Sequence, residues 1–78
     1  RKADVIRYLL EKEGIADPGE AVMIGDRKHD VLGAKEVGMD SIGVLYGYGS
    51  REELEEAGAG RIAASVEELE EYLLSQVD

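Results

Sequence analysis

The sequence predicts an α/β fold in which a short parallel sheet of about three strands is flanked by helices. Three short apolar runs alternate with stretches whose apolar residues recur at helical spacing, in the order α-β-α-β-α-β-α. This alternation is typical of parallel strands joined by helical crossovers. The 78 residues suffice for one small domain, and a chain of this length buries only about 60% of its unfolded surface. We therefore expect residues 1–78 to form a single domain.

The first part of the chain predicts a helix, a turn and a strand. Residues 3–13 have an amphipathic pattern that ends at Gly14, because glycine enters the left-handed conformation at little cost. A turn is predicted at residues 17–19, where a proline presets φ and a glycine permits the reversal. Residues 21–25 are apolar throughout, which predicts a short strand that helices cover on both faces.

The rest of the chain repeats this alternation. Ser50 and Ser65 each precede a glutamate by three residues, which predicts two capping boxes, with Glu53 reaching back in the first. Leu69 and Leu73, with Val66, are expected to face the core. The predicted elements are a helix from about Asp30 to Val37 that ends at Gly38, a strand from Asp40 to Leu45, a helix from Arg51 to Ala57 that ends at Gly58, a strand from Arg61 to Ala64 and a last helix after Ser65.

Charge and composition exclude several classes of function. The chain has 18 acidic and 9 basic residues and a formal net charge of -9. Nucleic acids and anionic membranes are therefore poor partners, because binding many phosphates requires a basic surface. There are no cysteines, which excludes disulfides and thiolate metal sites. No apolar run approaches the roughly 20 residues of a membrane-spanning helix, so we expect a cytoplasmic protein.

Asp26 and Asp30 are the main candidates for chemistry. They follow the apolar run 21–25, and ligands bind at the carboxyl ends of strands in open α/β sheets. Two carboxylates at this position suit Mg²⁺, which proteins hold with one or two carboxylates while waters and phosphate oxygens complete the coordination. The alternative is that Asp26 stabilises a turn and Asp30 caps the following helix, where a carboxylate complements the helix dipole.

Three further features near these aspartates are read mainly as structural. The glycine-rich segment 46–49 follows the second strand, and its amides could approach a phosphate, but we favour a structural turn. Gly33 and Ala34 are interpreted as small residues that let a helix pack closely on the sheet. His29 lies between the two aspartates without an identified partner, and we assign it no role.

The run MIGDRKHDVLGAKEVGMDSIGVLYGYGSREEL, with Gly25-Asp26 and Asp30 in order, resembles the fourth motif of haloacid dehalogenase (HAD) superfamily hydrolases. The downstream segments GVLYGYGSREELEEAGA and RIAASVEEL resemble in particular the phosphoglycolate phosphatase-like branch. Upstream, the segment that begins with Lys2 is similar to the third motif, in which a lysine starts the helix before the fourth-motif strand. The resemblance covers essentially the whole chain. It implies a three-layer, Rossmann-like (HAD-like) half domain, the C-terminal portion of a HAD-like core.

The resemblance implies a Mg²⁺-dependent phosphomonoester hydrolase that acts on a small phosphorylated metabolite. In such enzymes an aspartate attacks phosphorus, and water then hydrolyses the aspartyl-phosphate. By position, Asp26 would bind Mg²⁺, and Asp30 would bind it directly or through water and orient the lysine. Lys2 would neutralise the nucleophile and the phosphate. The first motif, Asp-x-Asp, supplies the nucleophile and does not occur in these 78 residues, so we expect no turnover by this chain alone.

The resemblance also implies an exposed sheet edge. In the family's core the fourth-motif strand pairs with the nucleophile strand, so the strand at residues 21–25 would have an unpaired edge. We expect the chain either to self-associate through this edge or to rearrange so that the edge is covered. The alternative function is therefore a non-catalytic α/β module, excised or engineered, that folds or self-associates.

Overall fold

The computed structural model describes residues 2–75 and confirms the predicted order of elements. The three strands of this part of the chain are parallel and adjacent in sequence order. None of its helices is long and apolar enough to cross a membrane. The helices are α1 (Lys2–Lys12), α2 (Lys28–Val37), α3 (Arg51–Ala57) and α4 (Val66–Leu74), and the strands are β1 (Val22–Gly25), β2 (Asp40–Val44) and β3 (Arg61–Ala63).

Two helices end at glycines, as predicted. Gly38 follows α2 with φ of 80°, and Gly58 follows α3 with φ of 92°, both in the left-handed region that other residues enter only with strain. The amides of both glycines donate to carbonyls of the preceding turn, which satisfies helix ends that would otherwise lack partners. Before β1, the predicted turn forms a short 3-10 helix at Pro18–Glu20, and the Asp17 carboxylate accepts a 2.9 Å hydrogen bond from the amide of Gly19.

The sheet lies between two helical layers, so the predicted three-layer arrangement is confirmed. On one face, α1 and α2 pack around Ile6, Leu10, Ala34 and Met39, with Met23 of β1 against this cluster. Beside it on the same face, α2 and α3 pack around Val31, Leu54 and Ala57, with Ile62 of β3 against them. On the opposite face, α4 covers Ile42, Val44 and Ala63 through Leu69, Tyr72 and Leu73.

The expectation that β1 is covered on both faces is wrong. Met23 points toward α1 and α2, but Val22 and Ile24 on the other face are 37% and 42% exposed. Within residues 2–75, α4 is the helix on that face, and it packs on β2 and β3. The prediction that Val66 faces the core is also wrong, because Val66 is 51% exposed and α4 packs on the sheet through Leu69, Tyr72 and Leu73.

The two predicted capping boxes form only in part. Ser50 accepts a 3.1 Å hydrogen bond from the amide of Glu53, and Ser65 accepts one of 3.1 Å from Glu68, as predicted. The glutamate halves differ from the expected pattern. The Glu68 carboxylate accepts from the amide of Ala64 at 2.9 Å, and the Glu53 carboxylate turns away from its own helix toward residues 27 and 28.

Candidate functional site

The carboxyl ends of β1 and β2 lie side by side and carry the candidate site. Gly25 of β1 is paired with Gly43 of β2, Asp26 follows Gly25 directly, and the glycine-rich segment 46–49 follows β2. Because the strands are parallel, Asp26 and this segment lie at the same end of the sheet. Open α/β sheets bind ligands at this end, beyond the carboxyl ends of their strands.

The glycine-rich segment closes directly on Asp26. The Asp26 Oδ2 atom accepts a 3.0 Å hydrogen bond from the amide of Tyr48. A Cβ atom on Gly47 would collide with the Asp26 side chain, and one on Gly49 would collide with the Asp26 carbonyl. The glycines therefore allow close approach to Asp26, which agrees with the structural reading of the segment. The other carboxylate oxygen of Asp26 makes no hydrogen bond to residues 2–75.

Asp30 lies in the first turn of α2 and pairs with Lys2. The Lys2 Nζ atom is 2.9 Å from Asp30 Oδ1, and the two side chains are 44% and 18% exposed. Asp30 does not cap α2 as the alternative expected, because α2 begins at Lys28 with Arg27 at the N-cap position, but its carboxylate lies in the first turn, where it complements the helix dipole. Asp30 also lies over the end of β1, since a Cβ on Gly25 would be 2.7 Å from Asp30 Oδ2.

Gly33 brings α1 and α2 close enough for this ion pair. A Cβ on Gly33 would be 2.6 Å from Lys2 Cγ and 3.2 Å from Ile6 Cδ1, so Gly33 leaves room for the Lys2 stem to cross α2. The predicted small-residue role is present, but the partner is α1 and not the sheet. Ala34, the other small residue of the pair, is fully buried in the cluster between α1 and α2.

The contacts of the Glu53 carboxylate differ from the capping box that the sequence predicted for it. Its Oε2 atom accepts hydrogen bonds from Arg27 Nε at 2.9 Å and from the amide of Lys28 at 2.7 Å. The hydrogen bond from Arg27, followed by that from the Lys28 amide, lowers the pKa of Glu53 below its usual value. The same bond to Glu53 raises the pKa of Arg27. The contact joins the start of α3 to the segment that follows Asp26.

The sequence contained a signal for this contact that the local pattern concealed. Lys28 begins α2, and the side chain of Arg27 at the N-cap position has no acceptor for the amides of the first helical turn. A helix start without a local acceptor requires one from elsewhere in the fold or from water. His29, in the same turn, is exposed, and its side chain makes no hydrogen bond within residues 2–75.

The donor set is compatible with part of a Mg²⁺ site. Asp26 and Asp30 place two carboxylates at the end of β1, and Mg²⁺ is commonly held by one or two carboxylates with waters and phosphate oxygens. Within residues 2–75 no three side chains of histidine, aspartate or glutamate form a group that could hold a metal ion. The described residues therefore fit a metal that takes its remaining ligands from water, from substrate or from other groups.

Comparison with known proteins places this geometry in a family. The sequence profile of HAD-hydrolase-like proteins matches residues 2–71. The chain is 53% identical over 53 residues to a 5'-nucleotidase of Pseudomonas aeruginosa, which covers 68% of this chain and 24% of that protein. It is 36% identical over 69 residues to a phosphoglycolate phosphatase of Vibrio vulnificus, which covers 88% of this chain and 30% of that protein.

The three-dimensional likeness is close and spans most of the chain. A predicted phosphatase from Clostridium acetobutylicum superposes with a TM-score of 0.89 and 51% sequence identity over 94% of this chain and 33% of that chain. The chain thus spans between 24% and 33% of the length of these three proteins. The profile, the sequence identities and the superposition agree with the resemblance in the motifs, and the chain belongs to the HAD-like hydrolase family.

Proposed function

We propose that this chain carries the metal-binding and phosphate-neutralising part of a Mg²⁺-dependent phosphomonoester hydrolase similar to phosphoglycolate phosphatase. The observation that carries the proposal is the arrangement at the carboxyl end of β1, where Asp26 directly follows the strand and Asp30, paired with Lys2, lies over its last residue, Gly25. The phosphatase and nucleotidase relatives support this class of reaction. The proposed substrate is a small phosphorylated metabolite.

Each of the three side chains has a distinct proposed role. When bound, Mg²⁺ supplies positive charge that stabilises the transferring phosphoryl group. Asp26 would hold the metal through the oxygen that is not bonded to Tyr48, and Asp30 would hold it directly or through water. Asp30 also fixes Lys2 Nζ, and because Lys2 is 44% exposed its ammonium group is accessible to a phosphate oxygen.

The covalent step requires a group that these residues do not supply. The 78 residues contain no Asp-x-Asp, so the nucleophilic aspartate is proposed to come from outside them. In this proposal residues 1–78 form one structural unit, the C-terminal portion of a HAD-like core in a cytoplasmic protein. The unit binds metal and phosphate but does not turn over substrate by itself.

A Mg²⁺ titration followed by NMR tests the proposal. Millimolar Mg²⁺ should shift the amide resonances of Asp26, Asp30 and their neighbours in the ¹⁵N-labelled chain, and Asp26→Asn should reduce the response. Asp40→Asn is the matched control, because Asp40 is exposed at the start of β2, at the opposite end of the sheet. An unchanged spectrum at millimolar Mg²⁺, or equal responses in both variants, would contradict the proposal.

A non-catalytic, self-associating module is the second candidate. It is favoured by β1, which lies at the edge of the described sheet and exposes Val22 and Ile24. An unpaired apolar strand invites pairing with another copy. Light scattering after size exclusion should then give a mass that rises with concentration, and Ile24→Lys should suppress the rise while Leu74→Lys, at an exposed site on α4, should not. A monomer mass at all concentrations would refute self-association.

A further inference from the structure

We propose that Glu53 is a positioning residue whose carboxylate fixes the segment from Asp26 to Lys28 and so holds the Asp26 carboxylate in place. Its significance for metal binding rests on the function proposed above. The positioning itself concerns contacts within this chain and is testable without metal. The alternative is that Glu53 serves only as a helix cap for α2.

The contact between Glu53 and this segment is short and involves a charged acceptor. One carboxylate oxygen of Glu53 accepts from Arg27 Nε at 2.9 Å and from the amide of Lys28 at 2.7 Å. Hydrogen bonds to an ionised acceptor are shorter and stronger than neutral ones. The carboxylate thus holds both the backbone and the side chain of the residues directly after Asp26.

The start of the same segment is held by the loop that leads to Glu53. Tyr48 donates its amide to Asp26 Oδ2 at 3.0 Å, and Gly49 lies so close to the Asp26 carbonyl that a Cβ atom would collide with it. Only four residues, 49–52, separate Tyr48 from Glu53. Both ends of this short stretch are therefore bonded to residues 26–28, and releasing one end should loosen the other.

Glu53 differs from the other glutamates of α3 in its surroundings. Its side chain is 22% exposed, whereas Glu52, Glu55 and Glu56 are exposed. The next residue, Leu54, is fully buried against the sheet, and Ser50 accepts from the amide of Glu53, so the backbone that carries the carboxylate is itself fixed. Because the backbone at Glu53 is fixed, the hydrogen bonds of its carboxylate hold residues 27 and 28 in a fixed position.

The test compares Glu53→Ala and Glu53→Gln with Glu52→Ala. Glu52 is the neighbouring glutamate on α3, and the structure gives its side chain none of the contacts to residues 26–28, so the control removes the same charge from the same turn. The primary measurement is the solvent exchange rate of the Tyr48 amide in the ¹⁵N-labelled chain. Circular dichroism establishes whether each variant is folded. If Glu53→Ala is unfolded, the comparison is made between Glu53→Gln and Glu52→Ala.

Loss of positioning should appear at Tyr48, a residue to which the Glu53 side chain makes no hydrogen bond. We expect the Tyr48 amide to exchange on the order of tenfold faster in Glu53→Ala, since its bond to Asp26 is charge-assisted. The increase should be smaller in Glu53→Gln, which retains one acceptor oxygen, and absent in Glu52→Ala. Mg²⁺ binding should weaken in the same order, by roughly tenfold for Glu53→Ala, as for groups that orient metal ligands.

The two proposals fail in different ways. If folded Glu53→Ala changes the Lys28 amide but leaves Tyr48 exchange as in the wild type, Glu53 is only a helix cap and the inference is overturned. If the wild-type chain does not respond to Mg²⁺, the proposed metal site fails, while the Tyr48 exchange rates still decide whether Glu53 positions Asp26.

Discussion

Leu54 anchors α3, and with it Glu53, to the sheet, and replacing it with alanine should remove much of the stability of the fold. Leu54 is 0% exposed, and it lies over Gly43 of β2, where a Cβ atom would be 2.9 Å from Leu54 Cδ1. Truncating a fully buried leucine costs about 3–5 kcal/mol. The free energy of unfolding of a 78-residue domain is about 4–12 kcal/mol, so Leu54→Ala should remove from about a quarter to all of it.

A second substitution tests whether this packing is the cause. Gly43→Ala should itself cost about 1–3 kcal/mol, because the added methyl group forces Leu54 to shift. In the double variant that methyl group occupies space that the leucine has left. The double variant should therefore lose less stability than the sum of the two single variants, by about 1 kcal/mol or more.

Urea unfolding followed by far-ultraviolet circular dichroism measures all four corners of this cycle. Leu74→Ala is the control, because Leu74 is 70% exposed on α4 and its truncation should change the free energy of unfolding by less than about 0.5 kcal/mol. If Leu54→Ala is unfolded in water, Leu54→Val replaces it in the cycle. Single effects that add to within about 0.5 kcal/mol would refute the packing between Leu54 and Gly43.

Three further predictions concern the candidate site and the helix starts. Gly47→Ala should destabilise the chain by about 1–3 kcal/mol in urea unfolding, because its Cβ would collide with Asp26, whereas Gly19→Ala in the turn before β1 should cost less. Ser65→Ala should cost about 1 kcal/mol in the same assay by removing the N-cap of α4. The pKa of Glu53 is lower in the folded chain than its ordinary value of 4.5, so the folded state binds fewer protons there and its contribution to stability is lost as the pH falls below that value. Glu53→Gln should therefore weaken the acid-induced loss of stability between pH 4.5 and the lower folded pKa, and equal acid sensitivity in the two proteins would contradict this.

The fold was largely predictable because each element carries its own local signals. Gly38 and Gly58 end their helices in the left-handed conformation, and Ser50 and Ser65 accept the amides that the capping pattern assigns to them. These features depend on residues within one turn of each other, so a single sequence is sufficient to detect them. Their position after a predicted strand made Asp26 and Asp30 candidate Mg²⁺ ligands, and the resemblance to the third motif contributed the candidate role of Lys2.

Most of the errors involve contacts between elements that are distant in the chain. Glu53 bonds to Arg27 and Lys28, which precede it by 26 and 25 positions, and the capping pattern within its own helix does not reveal these contacts. Gly33 was expected to face the sheet but accommodates Lys2 of α1, because α1 crosses α2 at that point. Val22 and Ile24 were expected to be covered, but an apolar pattern in a strand does not specify where the covering helix lies.

The proposed site also brings together residues from distant parts of the chain, and their charges determine how strongly it should bind Mg²⁺ and phosphate. Lys2, Asp30 and Asp26 come from two helices and a strand end, and together they carry one net negative charge at pH 7. Mg²⁺ releases its hydration water reluctantly and takes few protein ligands, so two carboxylates, one of them already paired with a lysine, should hold it only weakly. A phosphate group would add oxygen ligands for the metal and a partner for Lys2. We therefore expect Mg²⁺ and phosphate, when both are present, to bind at the carboxyl end of β1 more tightly than either binds there alone.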